Sequence, residues 1–340
     1  MILSWSPYTL YFKHPFRIAH GVRTSTPVVI TRLKHKGVTG YGEASMPPYL
    51  GESHQSVSSF LEKAAPLLKR FDDPYDIENI LAETDQISPG NSAAKAAVDI
   101  ALHDLNGKLL GRSCREMFGY EERSPYTSYT LGIDEPEILE KKIEEGKEFK
   151  VFKVKLNGEN DRQIIEAIRK FTNNPVAVDV NQGWKDKEKA LEMIHWLKER
   201  NVLFVEQPLR KEKRDDANWL YERSPLPLFA DESIQRYPDL ENMKDCFHGI
   251  NIKLMKCTGM LEAHRMIQKA KQLQLKILIG CMSETSCGIS AAAQLSPRCD
   301  HADLDGNLLI RNDLFKGVAV EDGKLILNDN PGIGAEPVEA

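Results

Sequence analysis

Apolar and polar residues follow two rhythms along the chain, and the change falls near Tyr126. In the first part, "PVVITRLKHKGVTGYGEAS" reads as a β-hairpin: β-rich Val28–Leu33, a turn through Lys36-Gly37, then Val38–Ala44. "HQSVSSFLEKAAPLLKRF" and the Ala-rich "SAAKAAVDIALHDLNGKLLG" have helical spacing, with Gly111 placed to stop the second. After Tyr126, short apolar runs alternate with helical segments. The runs are "YTSYTL", "VFKVKL", "VAVDV", "VLFVE", "LPLFAD", "GINIKL", "KILIGC" and "CDHADLD". Between them, "DRQIIEAIRKFT" puts Ile164, Ile165, Ile168 and Phe171 on one helical face. "DKEKALEMIHWLKER" does the same with Leu191, Ile194 and Leu197.

Near-continuous apolar strands suit a parallel sheet covered on both faces. Eight strand–helix units over roughly 200 residues predict an α/β fold of the (β/α)₈ type, a TIM-like barrel. A doubly wound sheet fits the same periodicity. The tail "GVAVEDGKLILNDNPGIG" reads as a hairpin outside the series that returns toward the N-terminal part.

Composition narrows the function classes. The chain has 340 residues, 41% of them hydrophobic and 28% charged, which describes an ordinary soluble globular protein. A net charge of −5 without a basic block argues against nucleic acid and anionic membrane as partners. "MILSWSPYTLYF" lacks the charged and apolar regions of a signal peptide. No run reaches the roughly 18 apolar residues of a transmembrane helix. The six cysteines (114, 246, 257, 281, 287 and 299) include no CxxC pair, so reduced thiols and a cytoplasmic location are expected.

Ionisable residues mark the strand ends: Lys155 on the second, Asp179 on the third, Glu206 on the fourth, Asp231 on the fifth, Lys253 on the sixth, Asp303 and Asp305 on the eighth. In a barrel of this type the carboxyl ends of the strands carry the active site. One carboxylate there is as readily a helix cap. Three on successive strands would repel one another unless a cation sits between them. Oxygen ligands without His or Cys specify a hard ion, and Mg²⁺ is the expected cofactor. Asn181, Gln207 and Glu232 are candidates for supporting these ligands.

The second and sixth strands lie opposite each other in a ring of eight, so Lys155 and Lys253 face each other across the mouth. A carboxylate substrate between them presents opposite faces of its α-carbon to the two amines. One removes the α-proton and the other returns a proton from the far side, a 1,1-proton transfer. Mg²⁺ stabilises the enediolate. Lys153 shares a strand face with Lys155, and its charge is expected to lower the pKa of that base. Edge-strand protection is the ordinary reading of the same "KVK". Lys256 competes with Lys253, which is preferred because it lies inside "INIKL".

At these residues the sequence resembles the enolase superfamily, muconate-lactonizing-enzyme subgroup. "KVK", "DVN", "VEQP", "ADES" and "NIKLMK" stand in the family's order. The resemblance implies a modified barrel, here 121–317, under an α+β capping domain formed by 1–120 and completed by the tail 318–340. "ADLDG" looks like the Asp-x-Asp signature of dipeptide epimerases, whose aspartates hold the substrate's α-ammonium group. That suits the chemistry, because an acidic pair accepts from several N–H donors. "GCMSETSCGISAAAQL" is also similar to that group, while "CTG" departs from the Gly-Gly frequent in relatives. The resemblance implies a Mg²⁺-dependent epimerase of a small dipeptide, L-Ala-D/L-Glu or similar, serving recycling of cell-wall peptide. It leaves a homo-oligomer open.

"IAHGVRTST" and "PPYLGES" occupy the positions of the family's two closing loops, and Arg23 is a candidate partner for a substrate side-chain carboxylate. His20 and Glu52 are weaker candidates; His301, Trp184 and Trp219 read as packing residues. Alternatives on the same scaffold are an N-acylamino-acid racemase or o-succinylbenzoate synthase. A Schiff-base aldolase and a binding protein with a vestigial site are rivals of other classes.

Overall fold

The computed structural model describes residues 1–18, 21–121, 123 and 125–338. Strands β1 (Ile2–Ile18), β2 (Gly21–His35) and β3 (Val38–Ser45) form an antiparallel sheet in that order. The predicted hairpin is β2–β3, turning at Lys36-Gly37, where both residues have positive φ. β1 was not anticipated, and β2 begins at Gly21, so residues 21–26 of the expected loop are strand. Helices α1 (His54–Lys69), α2 (Ile77–Asp85), α3 (Ser92–Leu110) and the short α4 (Cys114–Met117) complete this part. Gly111 caps α3 in the left-handed conformation, as its position implied.

α3 is buried along most of its length. Its alanines let it approach β3 closely, and β3 answers with glycines. A Cβ at Gly40 would lie 2.2 Å from the Ala101 carbonyl oxygen, and one at Gly42 2.1 Å from that of Ala97. The polar groups α3 buries are paired. Asp99 accepts from Met260 N (2.5 Å) and Leu261 N (3.2 Å), and Asp104 accepts from Tyr41 N (2.8 Å) and Ile333 N (3.0 Å).

Eight parallel strands follow: β4 (Ser128–Leu131), β5 (Val151–Lys155), β6 (Val176–Asp179), β7 (Val202–Glu206), β8 (Leu228–Ala230), β9 (Gly249–Lys253), β10 (Lys276–Gly280) and β11 (His301–Asp303). They pair in consecutive order, and β4 meets β11 through the parallel bridge Thr127–Ala302. Closure excludes the doubly wound alternative, whose strand order reverses. The seam is thin, and side chains finish it. Leu304 N donates to Thr127 Oγ1 (2.9 Å), Ser128 Oγ to Asp303 Oδ1 (2.6 Å) and Thr130 N to Asp305 Oδ2 (2.6 Å).

Helices α5 (Pro136–Glu145), α6 (Asp161–Phe171), α7 (Lys187–Lys198), α8 (Arg214–Tyr221), α9 (Met260–Gln272) and α10 (Ser286–Ala293) wrap the barrel. The regular eightfold pattern is broken in two places. A 3₁₀ turn (Tyr237–Asn242) stands between β8 and β9, and the described segment after β11 forms no α-helix. On α6, Ile164, Ile165 and Ile168 are buried as expected, but Phe171 at the helix end is 37% exposed. On α7 the buried face is Ala190, Ile194 and Leu197, with Leu191 at its margin.

The tail carries β12 (Phe315–Lys316), β13 (Ala319–Glu321), β14 (Lys324–Ile326) and β15 (Glu336–Pro337). β13–β14 is the predicted hairpin, and the chain beyond it returns to the end of α3, where Gly332 N donates to Arg112 O (2.9 Å).

The helix–sheet contact is the most demanding packing in the N-terminal part. Gly42→Ala is expected to destabilise the protein by about 3 kcal/mol, because the added methyl meets backbone that cannot yield. A clear fall in the urea midpoint is the expected result, and an unchanged midpoint would contradict this account of the interface.

Candidate active site

Parallel strands set the site directly. The β5–β6–β7 register places Lys155, Asp179 and Glu206 side by side at the strand ends. Asp231 follows β8, and Lys253 ends β9. One oxygen from each of Asp179, Glu206 and Asp231 lies within 4.8 Å of the others, and all three residues are buried. Such a set fits a hard divalent cation. Thr130, Lys153, Lys155, Asp231, Glu232, Lys253, Asp303 and Asp305 line a cavity of about 480 Å³ above it.

Charge balance shows in the contacts. Lys155 Nζ donates to Asp179 Oδ2 at 2.6 Å, and Lys253 Nζ to Asp231 Oδ2 at 2.7 Å. Lys153 Nζ contacts Asp303 Oδ2 (2.7 Å), Glu206 Oε2 (2.8 Å) and Asp179 Oδ2 (3.2 Å). Burial would push Lys153 down, but Asp303, Glu206 and Asp179 hold it well above the ordinary lysine range. It therefore stays cationic, and it touches the same Asp179 oxygen as Lys155. Lys253 is likewise held high, chiefly by Asp231 against its burial. Burial would raise Asp179, but Lys155 and Lys153 bring it down to about 2.

β5 and β9 are separated by three strands in either direction around the ring, so Lys155 and Lys253 approach the cavity from opposite sides. Lys256 takes a different place. It is fully buried, is not part of the cavity lining, and donates to Asp231 Oδ1 (2.5 Å), Asp231 O (2.7 Å) and Asn251 O (3.0 Å).

Asp303 and Asp305 sit on the barrel seam and both face the cavity. They are not equivalent. Lys153 and Ser128 hold Asp303 below its usual range against its burial, whereas burial and the neighbouring Asp303 push Asp305 up to about 7. Of the supporting candidates, Asn181 Nδ2 donates to Glu232 Oε1 (3.3 Å), and Gln207 Oε1 accepts from Asp231 N and Ser233 N (both 3.0 Å).

The N-terminal part covers the cavity. Phe12 bridges to Ile310, Lys13 N donates to Leu309 O (2.9 Å), and Tyr11 N donates to Asn312 Oδ1 (2.8 Å). The β1–β2 arm is thereby fastened to the segment that follows Asp305. Arg23, on that arm, lines the cavity over the Phe12 ring (5.8 Å). Its Nη2 is buried without a hydrogen-bond partner among the described residues, and burial lowers the guanidinium's pKa. Tyr49 reaches in from the other covering loop, its hydroxyl 3.2 Å from Met282 Sδ.

Several expectations lead elsewhere. Glu52 caps α3, accepting from Ala93 N (2.8 Å) and Ala94 N (3.3 Å). His20 lies outside the described residues. His301 packs on Phe204 and Phe229, and Trp184 donates to Asp161 Oδ2 (2.7 Å). Thr258, the departure noted in "CTG", has φ 66, a strained conformation for a β-branched residue. Sequence reasoning missed Ser128, Thr130, Tyr49 and Asn251. Asn251 had a signal, because it stands two residues before Lys253 and so shares its strand face.

Burial, and then the neighbouring Asp179, push the Glu206 carboxyl up to about 7 against the pull of Lys153. Below that pH the carboxyl keeps a proton that an incoming cation must displace. Affinity for Mg²⁺ therefore rises with pH up to about 7, by about tenfold per unit, and levels off above it. Calorimetric titrations across that range check the slope; a flat profile would contradict the assignment of Glu206.

Comparison with known proteins extends over the whole chain. Residues 8–119 match the mandelate racemase/muconate lactonizing enzyme N-terminal domain, and residues 137–340 match the enolase C-terminal domain-like family. Over 336 residues the chain is 54% identical to the L-Ala-D/L-Glu epimerase of Bacteroides thetaiotaomicron, spanning 98% of this chain and 87% of that protein. Its fold is similar to that of the substrate-liganded L-Ala-D/L-Glu epimerase from Bacillus subtilis. That match has a TM-score of 0.94 at 26% identity, covering 100% of this chain and 99% of that one. A dipeptide epimerase from Enterococcus faecalis, complexed with Mg and L-Leu-L-Tyr, matches with a TM-score of 0.91 at 30% identity over 98% of each chain. With both domain families matched in order along a closed barrel and its covering sheet, the chain belongs to the mandelate racemase/muconate lactonizing enzyme family of the enolase superfamily.

Proposed function

We propose that the protein is a Mg²⁺-dependent dipeptide epimerase, an isomerase that inverts the α-carbon of the C-terminal residue of a small dipeptide such as L-Ala-L-Glu. The carrying observation is the pair Lys155 and Lys253, brought from opposite strands to one cavity around the three-carboxylate cluster.

Asp179, Glu206 and Asp231 would hold the ion. When bound, it supplies positive charge that offsets the carboxylates holding Lys253 protonated and stabilises the charge developing on the substrate carboxylate. One lysine takes the α-proton into its Nζ lone pair, and the electron pair of the broken C–H bond passes into the substrate carboxyl group. The opposite lysine then delivers its own proton to the other face of the planar carbon. Asp303 and Asp305 receive the substrate's α-ammonium group at the seam, and Lys153 keeps Asp303 ionised. The buried Nη2 of Arg23 supports recognition of a side-chain carboxylate. Cysteines free of disulfides support action in the reducing cytoplasm, and the substrate class supports a part in recycling cell-wall peptides.

Polarimetry or chiral chromatography with Mg²⁺ and a panel of dipeptides and N-acylamino acids tests this. Epimerisation of L-Ala-L-Glu is expected, and turnover confined to N-acylamino acids would overturn the proposal. Arg23→Leu is expected to lower kcat/KM for L-Ala-L-Glu by about 10–100-fold, the loss of a charged hydrogen bond, and to spare dipeptides with apolar second residues. Equal loss on both classes would remove Arg23 from substrate recognition.

A further inference from the structure

The three carboxylates of the cluster each have one oxygen held by the surrounding frame and one facing the cavity lysines. Asp179 Oδ1 accepts from the backbone N–H of Asn181 at 3.0 Å. Glu206 Oε1 accepts from Asn251 Nδ2 at 2.8 Å. Asp231 Oδ1 accepts from Lys256 Nζ at 2.5 Å. The oxygens left over, Asp179 Oδ2, Glu206 Oε2 and Asp231 Oδ2, are the ones turned toward Lys155, Lys153 and Lys253.

The holding donors are locked in place. Lys256 has three N–H donors, and its Nζ has three acceptor contacts, two on Asp231 and one on the Asn251 carbonyl oxygen. Asn251 is fully buried and lies against Gly280, where a Cβ would stand 2.4 Å from Asn251 Oδ1. Turning its amide over would set a carbonyl oxygen against Glu206 Oε1, so the donor orientation is fixed. A carboxylate held in this way cannot easily rotate to offer both oxygens to one ion.

We infer that Asn251 and Lys256 set the ion selectivity of the site, by restricting Glu206 and Asp231 to one metal-facing oxygen each. This rests on the carboxylate cluster being the Mg²⁺ site. Ca²⁺ gathers more oxygens at longer distances and uses both oxygens of a carboxylate, whereas Mg²⁺ takes fewer, closer ligands. Single oxygens on a rigid frame favour the smaller ion. Both residues act through a ligand, so they are positioning residues. Their removal frees the second oxygen of Glu206 or Asp231 for the larger ion.

The test is calorimetric titration of Mg²⁺ and of Ca²⁺ into the metal-free wild type, Asn251→Ala, Lys256→Met and Asp179→Asn, with thermal melts as a check on folding. The wild type is expected to bind Mg²⁺ more tightly than Ca²⁺. That preference is expected to fall by about tenfold or more in Asn251→Ala and in Lys256→Met, the usual size of an effect on ligand orientation. A merely structural role would lower the melting temperature without moving the ratio. The two variants release different carboxylates, so Asn251→Ala decides alone if Lys256→Met does not fold. A folded Asn251→Ala protein with the wild-type ratio overturns the inference, while loss of both ions in Asp179→Asn leaves the carboxylate cluster standing as the ion site. A wild type that binds neither ion, or an Asp179→Asn variant that binds both normally, overturns the site and the inference together.

Discussion

Buried negative charge is the constraint from which the rest of this structure follows. Three carboxylates share a space too small and too dry for all of them to ionise unaided, and their pKa values separate accordingly, Asp179 falling to about 2 and Glu206 rising to about 7. Every nearby feature answers that charge. Lys155 and Lys253 flank it, Lys153 ties it to Asp303 at the seam, Lys256 pairs with Asp231, and Asn251 donates its amide to Glu206. The lysines proposed to move protons are therefore also part of the electrostatics that hold the cluster together.

The same cluster explains the division of labour between barrel and cover. A parallel barrel brings residues from distant parts of the chain to one mouth by register alone. It cannot close that mouth. The β1–β2 arm and the loop bearing Tyr49 do so, anchored to the segment after Asp305 and to Met282. α3 joins the cover to the barrel where its Asp99 accepts from Met260 N at the start of α9, and its glycine-lined contact with β3 holds the cover itself together. On the proposed function, reaction chemistry sits on the barrel and side-chain recognition on the cover, a division that suits one scaffold to several side-chain preferences.

Much of this was legible in the sequence because the barrel obeys simple periodicities. Apolar runs of strand length marked all eight strands, and an ionisable residue at a strand end is informative once the fold is fixed. The less legible parts are those that depend on contacts between distant segments. β1 is hard to read because Pro7 and Pro15 stand inside its alternating pattern, and a proline within a run argues against a strand. Phe171 was assigned to a buried face because helical periodicity does not show where the helix stops being covered. Glu52 resembled a closing-loop residue, yet the N-terminus of α3 claims it. The pairing of Lys256 with Asp231 joins the ends of neighbouring strands 25 residues apart, and that of Thr130 with the Asp305 carboxylate crosses the seam of the closed ring, so neither can be read locally.

The proposed chemistry stands on the two lysines acting from opposite faces of one carbon. The most direct measurement is ¹H NMR of α-proton exchange in D₂O with Mg²⁺, using Lys155→Ala and Lys253→Ala on L-Ala-L-Glu and L-Ala-D-Glu separately. Each variant is expected to lose epimerisation but retain exchange with a single epimer, the opposite one in each case. Exchange of both epimers by either variant, or of the same epimer by both, would contradict the two-base account.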